Sequence, residues 1–462
     1  MKTYVTNMTE GKPVRLIVNF AIPLMIGNIF QQLYLVADSM VVGTFLGVDA
    51  LAALGICGWP SWIVIGMLQG LAQGVSIIMA RDFGRDDLPS LKNTYGNALI
   101  LSGVFSVCLL IISQLLSPGM LFLLNTPARL NAPALLYLRI TFAGIPVIMA
   151  YNLFASALRA LGDSRIPLYA MIVASVLNIF LDLLFVSIFS WGIAGAAIAT
   201  VLAQVLSMYI CLKEVLRLPH LRIIRANMVL IPGLIRQMLI LSMPMAFQNF
   251  IIAGGGMVVQ SAANRFSVEF IAGFTAGAKL HGVLEIATSS FGFAMTTYVA
   301  QNLGAGRIDR IHKGVPDAMG AAVITSIIIA VTMLVLGRFI LRGFVSGTPE
   351  EISMTIDVGY RYLAIMCICL PVLYLLYVFR SSIQGLGNTF LPMVSAISEF
   401  MMRTSSALLL TALIGESGLY IAEVAAWFGA DMVLIPSYLY MIRKTEALLQ
   451  KQKGNDSNVT LA

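Results

Sequence analysis

Long apolar runs separated by short polar breaks set the pattern of the chain. An α-helix needs about 20 predominantly apolar residues to cross the hydrocarbon core of a bilayer. Runs of that order predict twelve transmembrane helices, near 16–46, 51–80, 94–117, 133–158, 166–189, 192–212, 237–263, 270–300, 317–341, 358–383, 391–414 and 418–441. The first run is too long for a cleavable leader and contains Pro23, so it reads as a resident helix.

The pattern repeats. "IPLMIGN" at 22–28 matches "MPMAFQN" at 243–249, aligning Pro23 with Pro244. "ARDFG" at 80–84 matches "AQNLG" at 300–304, and "ALGDSRIP" at 160–167 matches "GLGNTFLP" at 385–392. Three matches in order, at a nearly constant offset, indicate an internal duplication. Each half holds six spans, an even number, so both enter the membrane from the same side. The expected fold class is therefore an all-α polytopic membrane protein whose two six-helix lobes are related by a pseudo-two-fold along the membrane normal, with a cavity between lobes. The expected domains are an N-terminal lobe at 1–212, a basic connection at 213–236, and a C-terminal lobe with its tail at 237–462. Pro23 and Pro244 each remove one internal hydrogen bond, which makes both first helices candidates for hinging.

Composition agrees: 59% of the 462 residues are hydrophobic and 11% charged, against about 25% charged in a soluble domain. The net charge of +7 does not indicate nucleic acid, because the cations sit in short connections. Lys12, Arg15, Arg81, Arg85, Lys92, Arg159, Arg165, Arg307, Arg310, Arg380 and the 213–236 cluster fall on the side of the tails. Arg129, Arg139, Arg265, Arg338, Arg342 and Arg361 fall opposite. The bias predicts cytoplasmic termini in a multi-pass protein of the cytoplasmic (inner) membrane. His220 and His312 fall in the tail-side connections and are expected to be solvated. The five cysteines lie in apolar segments without metal-type spacing and read as small buried hydrophobes.

Against this background Asp38 is an anomaly, the sole charged residue between Leu16 and Leu46. An ionised carboxylate at membrane depth is costly and usually faces a cavity or a partner. Counting about 1.5 Å per residue from the outer span ends, Asp38, Asp182 and Thr200 all lie roughly 11–12 Å below the outer face. Asn178 is one helical turn from Asp182 on the same face. This all-oxygen set suits either a proton shared by two carboxylates or Na⁺, a hard cation that takes oxygen ligands. Gln31 and Asn152 either face the cavity or bond a neighbouring helix, and Met25 and Met171 suit an adaptable cavity wall. The second lobe lacks the set: Asp182 aligns with Ala407 and Asn178 with Arg403. It carries Lys279, Glu285, Glu399 and Arg403 instead, with Glu399 and Arg403 spaced to pair on one helix face.

These residues resemble the MATE family (multidrug and toxic compound extrusion) over nearly the whole chain. The resemblance rests on the stretch 22–55, on "RALGDSRIP" at 159–167, "NIFLD" at 178–182, "GIAGAAIAT" at 192–200 and "VAQNLGAGR" at 299–307. It is strongest to the DinF-like branch, whose cation site matches Asp38, Asn178, Asp182 and Thr200, and whose cavity positions match Gln31 and Asn152. The acidic C-lobe positions of the NorM-like branch have no clear counterpart, Glu285 being a poor substitute. The resemblance implies a secondary antiporter, not an enzyme. It would export amphipathic, often cationic small molecules as H⁺ or Na⁺ enters, with the first helix bending on cation binding. No cofactor beyond the coupling ion is expected, and a monomer in the bilayer is the expected working unit. The alternative is a flippase or exporter of a lipid-linked or other amphipathic metabolite. A diphosphate-bearing substrate of that kind would call for several unpaired Arg or Lys in the cavity.

Overall fold

A computed structural model describes the backbone of residues 4–124, 126–343 and 349–459. Among them there are no strands. The helices are α1 (Pro13–Leu46), α2 (Val48–Gly84), α3 (Leu88–Leu123), α4 (Ala128–Ala143), α5 (Ile145–Ala160), α6 (Arg165–Asp182) and α7 (Gly192–Arg217) in the first half. The second half has α8 (Pro232–Ala263), α9 (Val268–Gly304), α10 (Ile308–Arg342), α11 (Pro349–Gly385), α12 (Phe390–Ser405), α13 (Thr411–Ile414) and α14 (Glu416–Val459).

The duplication is visible in these bounds. Both α2 and α9 have 37 residues, and α6 and α12 each run into a π-helical turn, at Leu183–Ile188 and Ser406–Leu410. The fourth span differs between halves. It is broken by 46° between α4 and α5, just before Pro146, whereas its counterpart α11 continues through Pro371. Among the described residues ten helices are long and apolar enough to cross a membrane, and the bent α4–α5 pair makes an eleventh. The twelfth span of the fold is α9, the polar one, carrying Lys279, His281 and Glu285. Helices on the lipid side bury little of themselves: Ile324, Ile328, Val331 and Val335 of α10 are all exposed, as apolar acyl chains allow.

The chain divides into two compact units. One holds the residues up to Asn7 and Ile22–Phe250; the other holds Met8–Ala21 and everything from Ile251 onward. This division differs from the lobe boundary expected at 213–236. Helix α1 is unbroken through Pro23 and α8 through Pro244, yet α1 changes unit between Ala21 and Ile22, next to its proline, and α8 changes at Phe250. The first half of α8 thus packs with the N-terminal helices. A Cβ on Gly70 of α2 would lie 2.6 Å from the Ala246 nitrogen, and one on Gly74 2.5 Å from Ser242 Cα. Ser242 Oγ donates to the Leu71 carbonyl at 3.1 Å. In lipid there is no hydrophobic force between helices, so such close backbone approach supplies much of the packing energy. Gly74→Val is expected to destabilise the fold by about 1–3 kcal/mol through overpacking, read as a lower apparent melting temperature in detergent. An unchanged melting temperature would contradict the crossing.

Candidate cation-coupling site

Within the first unit, α1 and α6 run side by side in fixed register. Gly27 of α1 faces Met171 of α6 so closely that a Cβ there would meet the Met171 Sδ at 3.1 Å. Eleven residues further along each helix stand Asp38 and Asp182. One turn beyond them, Val41 and Val42 pack with Val186 of the π-turn and with Ala196 of α7. Helix α7 runs the opposite way, so Thr200, one turn after Ala196, returns to the level of the two carboxylates. The π-turn is crowded onto α7, where a Cβ on Gly195 would lie 3.0 Å from Phe185 Cβ. Its extra residue per turn begins immediately after Asp182, a kind of irregularity that recurs at functional sites.

The polar atoms here are buried and poorly matched. Asp38 is 3% exposed, Asn178 1% and Asp182 0%. Among the described residues, Oδ1 of Asp38, both carboxylate oxygens of Asp182 and both amide atoms of Asn178 have no hydrogen-bond partner. Buried polar groups are nearly always bonded, and this cluster of unpartnered polar atoms departs from that rule. Thr200 Oγ1 donates to the Ala196 carbonyl at 3.1 Å, which leaves its lone pairs available. Asp38 and Asp182 lie within electrostatic reach of each other and of Tyr34 and Tyr137. Tyr34 stands one turn before Asp38 on α1, a neighbour that helical spacing alone makes available; Tyr137 gave no signal in the sequence, because its proximity depends on how α1 and α4 pack. Among the described residues no group of three or more His, Cys, Asp or Glu side chains is placed to hold a metal ion. A Na⁺ at this place would therefore rest on two carboxylates plus neutral oxygens, a donor set that fits it.

The other sequence-derived positions fall as follows. Gln31 is hydrogen-bonded to Tyr34 on its own helix. Asn152 donates to the Ile148 carbonyl at 2.8 Å, so it too bonds within its helix. Met25 and Met171 are half-buried. His312 is exposed, as expected, and contacts Glu446, whereas His220 is half-buried, its ring 5.7 Å from that of Phe83.

The second unit holds a different cluster. Glu399 and Arg403 pair at 2.9 Å, one turn apart on α12. The other Glu399 oxygen is held by Arg380 at 2.7 Å, and Arg403 also reaches Glu423 of α14 at 2.9 Å. The charge pattern had put Arg380 in a tail-side connection; it is 4% exposed, because α11 carries it into the unit beside Glu399. Glu285 lies within reach of His281, Glu423 and Arg403, while His281 stacks on Trp427 at 5.5 Å. Lys279, grouped with these residues on sequence grounds, is exposed. The neighbours Glu423 and Asp431 went unremarked in the sequence, since nothing in a span's composition tells which face meets an arginine.

Two tandem helical repeats, a broken fourth span and unpaired buried carboxylates in one unit are the build of a polytopic membrane transporter. The MatE family model matches residues 23–184 and again 244–409, each match opening on one of the two repeated prolines, and the chain belongs to that family, whose members are transporters rather than enzymes. Among its relatives, "Probable multidrug resistance protein YpnP" of Bacillus subtilis is 29% identical over 422 residues, 91% of this chain and 93% of that protein. The "FAD transporter" of Shewanella oneidensis is 26% identical over 65% of this chain and 67% of its own length. A solved structure described as MATE in complex with MaL6 superimposes with a TM-score of 0.88 at 22% identity, over 97% of this chain and all of that one, which establishes the shared fold.

Proposed function

We propose that the protein is a multidrug efflux antiporter of the cell membrane, exporting amphipathic, often cationic organic compounds in exchange for H⁺ or Na⁺. The observation that carries this reading is the pair of unpartnered buried carboxylates of Asp38 and Asp182, in register on neighbouring helices of one unit, with the unpartnered amide of Asn178 one turn before Asp182. The narrower likeness to the DinF-like branch rests on the same residues. When either carboxylate takes up a proton, the cost of burying its charge disappears and the pair no longer repels. Helix α1, which carries Asp38, then relaxes about Pro23, and the change in that helix favours release of substrate to the outside. The coupling works because the cation binds the two conformations with different affinity. Tails on the cytoplasmic side follow from the distribution of Lys and Arg.

A second reading, export of an amphipathic metabolite, draws support from the relative called an FAD transporter. A substrate bearing a diphosphate needs free cations, however, and both buried arginines of the second unit are committed to Glu399 and Glu423. The test is dye efflux from vesicles holding the purified protein, with a pH gradient or a Na⁺ gradient imposed separately. Efflux driven by one of the two is expected. Efflux indifferent to both would overturn the reading.

A further inference from the structure

The connection between α7 and α8 is held as a shaped surface. The Asn97 side chain of α3 donates to the Val229 carbonyl at 3.1 Å and accepts from the Ile231 amide at 2.9 Å. Asn227 donates to the Asn93 side chain at 2.8 Å and accepts from the Ile224 amide at 3.0 Å. The connection lies so flat on α3 that a Cβ on Gly96 would sit 2.2 Å from the Asn227 carbonyl oxygen. Leu218 and Leu221 are buried beneath it.

With its polar backbone anchored, this segment turns its apolar side chains outward. Ile224 is 67% exposed and Val229 63%, and Met228 and Leu230 are exposed with them. Arg222, Arg225 and Arg236 are exposed beside them, and none of the ion pairs found among the described residues involves these three. No acidic residue occurs between Glu214 and Glu269. The depth is informative as well. Asn97 is nine residues into α3, about 14 Å from its start. Helix α3 has 36 residues and so spans about 54 Å, against about 30 Å of hydrocarbon. The connection therefore runs beside the part of α3 that crosses the headgroup zone. An exposed apolar row flanked by cations at that level matches a lipid interface, where apolar groups enter the acyl boundary and cations meet anionic headgroups.

We propose that residues 222–236 form a docking surface for anionic phospholipid, with Arg222, Arg225 and Arg236 holding headgroup phosphates and Ile224, Met228, Val229 and Leu230 seated in the acyl boundary, and that occupancy of this surface supports transport. The proposal stands apart from the coupling site, and its binding arm needs no transport measurement.

The experiment uses the full chain in discs of phosphatidylcholine with and without phosphatidylglycerol, with retained lipids counted by native mass spectrometry after release. The wild-type protein is expected to retain phosphatidylglycerol over phosphatidylcholine. The triple variant Arg222→Gln, Arg225→Gln, Arg236→Gln is expected to lose that preference at an unchanged melting temperature. Ile224→Ser with Leu230→Ser is expected to weaken retention of both lipids. Millimolar inorganic phosphate is expected to leave retention unchanged; displacement by it would mean a phosphate site rather than a lipid surface and would overturn the proposal. In vesicles, wild-type efflux should rise with phosphatidylglycerol content and the triple variant should not respond. Equal preference in the wild-type and triple-variant proteins, or none in the wild type, would also overturn it.

Discussion

Asp38→Asn is expected to abolish gradient-driven efflux while the protein still folds and reaches the membrane. Asparagine keeps the shape of the side chain and removes its titratable charge. Because Asp38 is buried and its Oδ1 has no partner in the fold, the substitution removes an uncompensated buried group rather than a supporting contact. Burying an unpaired charge is unfavourable, so the melting temperature of the variant should match or exceed that of the wild type. That combination, activity lost with stability kept, is what a purely structural carboxylate would not show. Asp182→Asn should behave alike, and the double variant should be no worse than either single one, as for groups that act as a unit. Undiminished drug resistance in cells expressing Asp38→Asn would sink the assignment.

Arg403→Met should have the opposite signature. Arg403 is 5% exposed and bridges Glu399 and Glu423, both at 2.9 Å. Its loss leaves Glu423 without this buried cation and Glu399 dependent on Arg380 alone. Removing one partner of a buried ion pair costs about 3–5 kcal/mol, because the remaining charge stays desolvated. Yield and melting temperature should both fall. Adding Glu423→Gln should recover part of the loss by removing the stranded charge. A single variant as stable as the wild type would mean that solvent reaches this cluster and that the pairing has little structural weight.

Much of the architecture was legible in one dimension. Helix length against bilayer thickness fixes the spans, and the repeated prolines fix the two halves. Fixed rise per residue gave Asp38, Asp182 and Thr200 a common expected depth, and the register of α1 against α6 brings the two acids within electrostatic reach. Some local chemistry was legible too, because Glu399 and Arg403 meet through helical spacing alone. Residues whose role depends on a neighbouring helix were not. Tyr137, Glu423 and Asp431 are ordinary members of their spans until α4 or α14 is set against its partner.

What the sequence determined by itself is everything governed by periodicity along one helix and by the thickness of the bilayer: the fold class, the repeat and the helical spacing that pairs Glu399 with Arg403. The tertiary structure alone decided which helices share a unit, that α1 changes unit beside Pro23, that Arg380 turns inward to Glu399, and that the connection to α8 lies flat on α3. It also decided the π-turn that begins after Asp182, which has no signature in residue types. The reason is that these features come from close contact between distant segments, through glycine faces such as Gly70 and Gly74 and through side-chain amides such as Asn97, where fit in three dimensions outweighs any preference within the chain.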